Sequence, residues 1–93
     1  MKIVLQTVNF KAGSALEKFI FDKVGQLRTL GTDIVRAEVV LNMDHAEAEE
    51  NKICELHLIT NSDTRKVKTL AKRYEKSVTD AVKSMQELIA GTA

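Results

Sequence analysis

The sequence contains no proline and a single cysteine, Cys54. One cysteine excludes an internal disulfide framework and a four-cysteine zinc site, and it fits a reducing compartment. A membrane-spanning helix needs about 18 consecutive apolar residues, and no apolar run here approaches that length. The apolar stretch at the N-terminus is also too short for a signal peptide. Without proline, no helix or strand is interrupted by that residue. These absences predict a cytoplasmic protein with no membrane partner.

Aromatic residues make up only 4% of the chain, and the four glycines are too dispersed for a phosphate-binding loop. His45 and His57 stand in no recognisable motif, and metal-ligand spacing is lacking around them. Cys54 alternates with inward-facing leucines, which is typical of a small core residue rather than a nucleophile. We therefore expect no enzymatic activity, no cofactor, no metal site and no small-molecule substrate.

The 93 residues suffice for one domain, residues 1–93, with 44% hydrophobic and 29% charged side chains. The net charge of +1 conceals an uneven distribution. Residues 44–55 carry five carboxylates against Lys52, whereas residues 65–76 carry six basic side chains against Glu75 alone. A nearly neutral chain can thus present a basic surface, and phosphates respond to that local charge.

Apolar periodicity predicts the element order β-α-β-β-β-α. Alternation of period two indicates strands at residues 2–8, 34–43, 52–60 and 64–70, and period-3.6 stripes indicate helices at 14–30 and 71–90. Val35 is expected to face inward from the second strand, and Leu88 to belong to the core stripe of the last helix. The prediction is an α+β domain in which a four-stranded sheet carries both helices on one face, as in double-stranded-RNA-binding domains.

The basic residues near the last strand and helix are the candidate RNA-binding site. Their distributed charge suits a phosphodiester backbone, and the low aromatic content argues against stacking on splayed bases. Lys23 joins the set because a helical wheel places it inside the apolar stripe of the first helix. Its stem can cover the edge of the core, and its charge can be aimed along the seam beside the helix; the two interpretations are compatible. Arg65 is expected beside the junction between the last strand and the last helix. The candidates are Lys23, Arg65, Lys66, Lys68, Lys72, Arg73, Lys76 and Lys83.

Several local patterns resemble the ribosome hibernation promoting factor family, which includes proteins once labelled sigma-54 modulation proteins. Residues 15–20, A-L-E-K-F-I, followed by Lys23, are similar to the first helix of that family. Residues 34–41 and the E-L-H-L of 55–58 are similar to its second and third strands. Where the family usually shows D-x-Y-x-A-I-D, residues 72–79 read K-R-Y-E-K-S-V-T, with a basic residue at the first acidic position.

The resemblance implies a short family member that binds the small ribosomal subunit in its decoding channel during stationary phase or stress. It would block translation by steric occlusion with electrostatic anchoring to ribosomal RNA, and an additional hibernation factor is a further implied partner. Two other functions remain open from the residues themselves. One is an RNA-binding module that acts off the ribosome, and the other is a protein-interaction or homodimer module that uses an exposed sheet face.

Overall fold

The computed structural model describes residues 1–31, 33–46 and 49–91. The observed order is β-α-β-β-β-α, as the sequence predicts. The elements are β1 (Lys2–Thr7), α1 (Ser14–Gly25), a 3₁₀ helix (Gln26–Leu30), β2 (Ile34–Met43), β3 (Lys52–Thr60), β4 (Thr64–Ala71) and α2 (Tyr74–Ala90).

The four strands form one mixed sheet in the order β1-β2-β3-β4. β1 pairs in parallel with β2, since α1 returns the chain to the end of the sheet at which β1 began. β2, β3 and β4 form an antiparallel meander, with Leu41 opposite Cys54 and Leu56 opposite Val67. The carboxyl ends of β1, β2 and β4 therefore lie at one end of the sheet, together with the start of β3. The last helix begins at this same end.

Both helices pack on one face of the sheet, as predicted. The core joins Ile20 and Val24 of α1 and Val78 of α2 to inward residues of β2 and β3 such as Leu41 and Leu56, all 0–1% exposed. These positions follow the apolar stripes at period 3.6 and the alternation at period two, so burial of each amphipathic face accounts for the layer order.

The opposite face of the sheet, called here the open sheet face, carries no second layer among the described residues. Strand pairing arranges its side chains in transverse rows. The rows are Lys2–Arg36–Ile59–Thr64, Val4–Glu38–His57–Lys66, Gln6–Val40–Glu55–Lys68 and Asn42–Ile53–Leu70. Charged side chains interrupt the apolar ones in most rows, which is typical of a solvated face.

Both predicted helices are shorter than the sequence suggests. The apolar stripe of residues 14–30 continues past Gly25, but the α-helix ends there and the chain tightens into a 3₁₀ helix up to Leu30. Glycine has low helix propensity, and 3₁₀ turns are common at helix ends. At the other helix, Ala71 still pairs with Lys52 in the sheet, so α2 begins only at Tyr74.

Two predicted core positions are wrong. Val35 is 44% exposed, because an irregularity between Ile34 and Arg36 shifts the register of β2 against β3. Such bulges turn one side chain away from the face that simple alternation assigns to it. Leu88 is 37% exposed in the last turns of α2, where the neighbouring Ile89 packs against the core instead.

Candidate RNA-binding surface

The connection from β4 to α2 is held in place by partly buried hydrogen bonds. Ser77 is fully buried, its hydroxyl donates to the Tyr74 carbonyl at 3.1 Å, and its own carbonyl accepts from the Thr69 hydroxyl at 2.6 Å. The Tyr74 hydroxyl donates to the Asn42 carbonyl of β2 at 3.0 Å. These bonds tie the first turn of α2 to β2 and β4, so the side chains at the connection have a defined place.

Lys72, Arg73 and Lys76 project from this connection, and we call these three residues the basic junction. Lys72 and Arg73 form the turn itself, and Lys76 lies in the first turn of α2; all three are exposed. Arg73 is the extended N-cap residue, and no side chain in the described ranges caps the helix. The first backbone N–H groups of α2 therefore add a partial positive charge beside three cationic side chains. This arrangement can bind phosphate.

Carboxylates accompany two of these cations. Arg73 Nη2 lies 3.5 Å from Glu75 Oε2, and Lys76 Nζ lies 2.9 Å from Asp80 Oδ1. Lys72 has no ion pair with any described residue. Asp80 was not identified from the sequence as a partner of Lys76, although its i,i+4 spacing from that lysine indicates a helical ion pair. The helix surface beyond the junction is thus less uniformly positive than the spacing of its lysines suggests.

A surface cavity of about 280 Å³ lies at the basic junction. Its lining combines both signs of charge: the three cations share it with Asp80 and with Glu50 from the loop between β2 and β3. Leu70 and Ala71 supply its apolar wall. The acidic loop, residues 44–51, therefore reaches the candidate site. Its Glu47 lies outside the described residues.

An aromatic pair adjoins the same end of the sheet. The rings of Phe10 and Tyr74 stack with centroids 4.9 Å apart and planes 12° apart, and Lys52 Nζ lies 6.0 Å from the Tyr74 ring centroid. Burial raises the pKa of the Tyr74 hydroxyl. Lys52 is a further cation near the junction, outside the set of candidates chosen from the sequence. The pairing of β3 with β4 brings it there, since it sets Lys52 opposite Ala71.

Lys66 and Lys68 lie on the open sheet face, so they project from the side of β4 that faces away from the helices. Lys66 stands opposite His57 and Lys68 opposite Glu55. Neither lysine forms an ion pair with a described residue, and both are exposed. Glu38 accepts from Arg36 Nε at 2.9 Å, and Glu38 and Glu55 each lie 3.8 Å from a ring nitrogen of His57, which forms an ion pair with them only when the imidazole is protonated. The two lysines are therefore available to a ligand.

The remaining three candidates lie apart from the basic junction. Lys83 is exposed on α2, two turns or about 10 Å beyond Lys76. Lys23 is half-buried on α1, with its Nζ 6.0 Å from the Phe19 ring centroid, which agrees with a stem that covers the core edge. The expected place of Arg65 is wrong. It is the second residue of β4, about 20 Å along the strand from the junction, and it pairs with Asp63 at 2.7 Å.

Neither a reactive cysteine nor a cluster of metal ligands is found among the described residues. Burial, with a smaller effect from the Glu55 charge, raises the pKa of the Cys54 thiol to about 12. Within residues 1–31, 33–46 and 49–91, no three histidine, cysteine or acidic side chains come together in a way that could hold a metal ion. No helix in this part of the chain is long and apolar enough to cross a membrane.

Comparison with known proteins decides the family. A family model described as "Sigma 54 modulation protein / S30EA ribosomal protein" matches residues 3–90. The chain belongs to this family. The match runs from the second residue of β1 to the last residue of α2, so family membership concerns the domain as a whole. The resemblance noted from local sequence patterns is thereby confirmed.

Solved structures of similar fold agree with the family. The structure of a ribosomal subunit interface protein from Coxiella burnetii superposes with a TM-score of 0.84 at 13% identity, covering 99% of this chain and 97% of that one. The N-terminal domain of Thermus thermophilus Protein Y superposes with a TM-score of 0.82 at 16% identity, covering both chains completely. At these identities the likeness shows the fold. No curated protein matches the sequence.

Proposed function

We propose that the chain binds the ribosomal RNA of the small ribosomal subunit and blocks translation in stationary phase or under stress, without catalysing a reaction. The match of the family model over residues 3–90 is the observation that carries the proposal. The similar fold of a ribosomal subunit interface protein supports the same assignment. The protein would act in the cytoplasm, and another hibernation factor is a further proposed partner.

Charge placement supports RNA as the ligand. The basic junction combines three cations with the uncapped N-terminus of α2, and Lys66 and Lys68 lie on the other side of β4. Contacts of this kind bind phosphates irrespective of base identity and fix the orientation of the protein on folded RNA. A domain that presents cations on both sides of its edge strand can be anchored within an RNA cleft. Its bulk would then exclude other ligands from that cleft.

Sedimentation of cell lysates tests the proposal. Lysates of growing and starved cells are fractionated on sucrose gradients in buffer of low salt, and the chain is detected with an antibody. We expect it to co-sediment with small subunits or whole ribosomes in starved cells, and to leave those fractions when the gradient contains high salt. A chain that remains at the top of the gradient under both growth conditions would contradict the proposal.

In vitro translation separates blocking from binding alone. Purified chain is added to a translation reaction at concentrations that saturate the ribosomes. We expect synthesis to fall as the chain occupies the ribosomes, because the mechanism is occlusion rather than turnover. Full synthesis with ribosomes that are demonstrably occupied would contradict the blocking role while leaving ribosome binding intact.

A further inference from the structure

The cavity at the basic junction is notable for carboxylates that face its cations. Glu50 reaches it from the loop between β2 and β3, and Asp80 reaches it from α2, 2.9 Å from Lys76. Lys72 lies in the same lining without an ion pair to any described residue. Phosphates that cover the whole cavity therefore meet two negative charges as well as its cations.

These carboxylates contribute little to folding stability but act strongly on an incoming anion. The Lys76–Asp80 pair is an exposed i,i+4 pair, with side chains 68% and 34% accessible, and such exposed pairs contribute little to folding stability. Repulsion between a carboxylate and a phosphate a few ångströms away is larger than this near a protein surface, and it weakens as salt is added. Their main energetic effect is on anionic ligands.

The geometry of the RNA determines how much of this repulsion it meets. The phosphates of a regular RNA duplex are closely and evenly spaced, as in double-stranded DNA with about one charge per 1.7 Å of axis, so a duplex laid on the junction brings phosphates against Glu50 and Asp80 as well as the cations. A folded RNA surface can place phosphates opposite unpaired cations such as Lys72 and leave the carboxylates facing a gap. Discrimination by built-in repulsion is a common route to specificity.

We propose that Glu50 and Asp80 are specificity-determining residues, which weaken binding of generic duplex RNA at the basic junction more than binding of the intended folded RNA. The inference rests on the proposed function for the identity of that folded RNA. The expected repulsion of duplex RNA by these two carboxylates does not depend on that function.

A matched pair of variants tests this inference. The test variant combines Glu50→Gln with Asp80→Asn. The control combines Glu87→Gln with Asp22→Asn, which makes the same change in net charge and likewise removes the carboxylate of an i,i+4 pair, that of Lys18 with Asp22. Binding of each protein to a labelled duplex RNA of about 20 base pairs and to purified small subunits is titrated at low and at moderate salt.

We expect the test variant to bind duplex RNA about two- to tenfold more tightly than the parent at low salt, with the gain shrinking as salt rises. The control should gain clearly less, and the affinity of the test variant for small subunits should rise less than its affinity for duplex. The inference is overturned by unchanged duplex affinity, by an equal gain in the control, or by equal gains on duplex and subunits. A parent chain that prefers duplex RNA to small subunits would instead contradict the proposed function, and the duplex titrations of the variants remain a separate result.

Discussion

Cys54 shows how its surroundings set the chemistry of a single side chain. It lies in the middle of β3, opposite Leu41, and only 1% of its surface is exposed. In this environment the charged form loses its hydration, so the pKa of the thiol rises from 9.0 to about 12. The thiolate is the reactive form of cysteine, and it is therefore suppressed in the folded chain. Alternation with Leu56 and Leu58 was enough to predict an inward position for this residue.

The raised pKa of Cys54 predicts a pH dependence of stability. Above pH 9.0 the thiol ionises in the unfolded chain but stays protonated in the folded chain until about pH 12. This group's contribution to the free energy of unfolding is therefore constant below pH 9 and decreases between about 9 and 12. Urea unfolding at pH 8 and pH 10.5 should show an extra loss on the order of 2 kcal/mol in the parent relative to Cys54→Ala. Equal losses in the two proteins would contradict the assignment.

Among the elements, α1 shows what periodicity predicts and what it leaves out. The apolar stripe identified the buried face of residues 14–30, and Ile20, Val24 and Leu27 are indeed buried. The change to a 3₁₀ helix after Gly25 keeps Leu27 inward, so the hydrophobic pattern of the sequence carries no sign of it. The bulge that exposes Val35 is similar, because register depends on the partner strand and not on β2 alone.

The same helix offers a stabilising substitution, Gly25→Ala. Gly25 has ordinary helical backbone angles, φ −58° and ψ −25°, so alanine fits there without strain. The added Cβ would come within 2.6 Å of Arg28 Nη1, which is the flexible end of an exposed side chain and can move. Higher helix propensity should raise the free energy of unfolding by about 0.5–1 kcal/mol in urea titration.

Arg28→Ala provides the matched background for that measurement. If the Arg28 guanidinium moves away from the new Cβ at no energetic cost, Gly25→Ala should stabilise the parent and the Arg28→Ala chain to the same extent. A destabilised Gly25→Ala chain in both backgrounds would show that residue 25 needs glycine for a reason other than the contact with Arg28.

At the scale of the whole molecule, the topology of the sheet and α2 determines which residues of the candidate surface lie together. The basic run of residues 65–76 is continuous in sequence, but β4 divides it: Lys66 and Lys68 lie on the open sheet face, and the basic junction lies where α2 begins. Alternation along a strand predicted the first of these placements. The arrival of Glu50 and Lys52 at the junction could not be predicted from the basic run, because both are brought there by the pairing of β3 with β4.

The length of β4 separates Arg65 from the other basic residues of the run. An eight-residue strand spans more than 20 Å, so the two ends of β4 cannot serve one phosphate site. Arg65 instead lines a separate cavity of about 200 Å³ with Leu30 and Ile34, at the opposite end of the sheet. We expect Arg65→Ala to affect RNA binding less than replacement of any one residue of the basic junction, as titration of the single variants against small subunits can measure.

We propose that cations of β4 and the basic junction anchor the chain to ribosomal RNA. Replacement of Lys68, Lys72 and Arg73 by alanine removes three exposed cations, and replacement of Lys11, Lys18 and Arg28 makes the same change in net charge elsewhere. Exposed positions of this kind contribute little to stability, so both variants should fold, as circular dichroism and urea unfolding can verify.

The most direct test is fluorescence titration of these two triple variants and the parent against purified small ribosomal subunits at several salt concentrations. Removal of each cation that binds a phosphate should reduce the slope of log affinity against log salt by about 0.7–0.9. We predict weaker binding and a slope smaller by about two for the Lys68, Lys72 and Arg73 variant, with the control close to the parent. Unchanged affinity and slope in the folded test variant would contradict the claim that these residues bind ribosomal RNA.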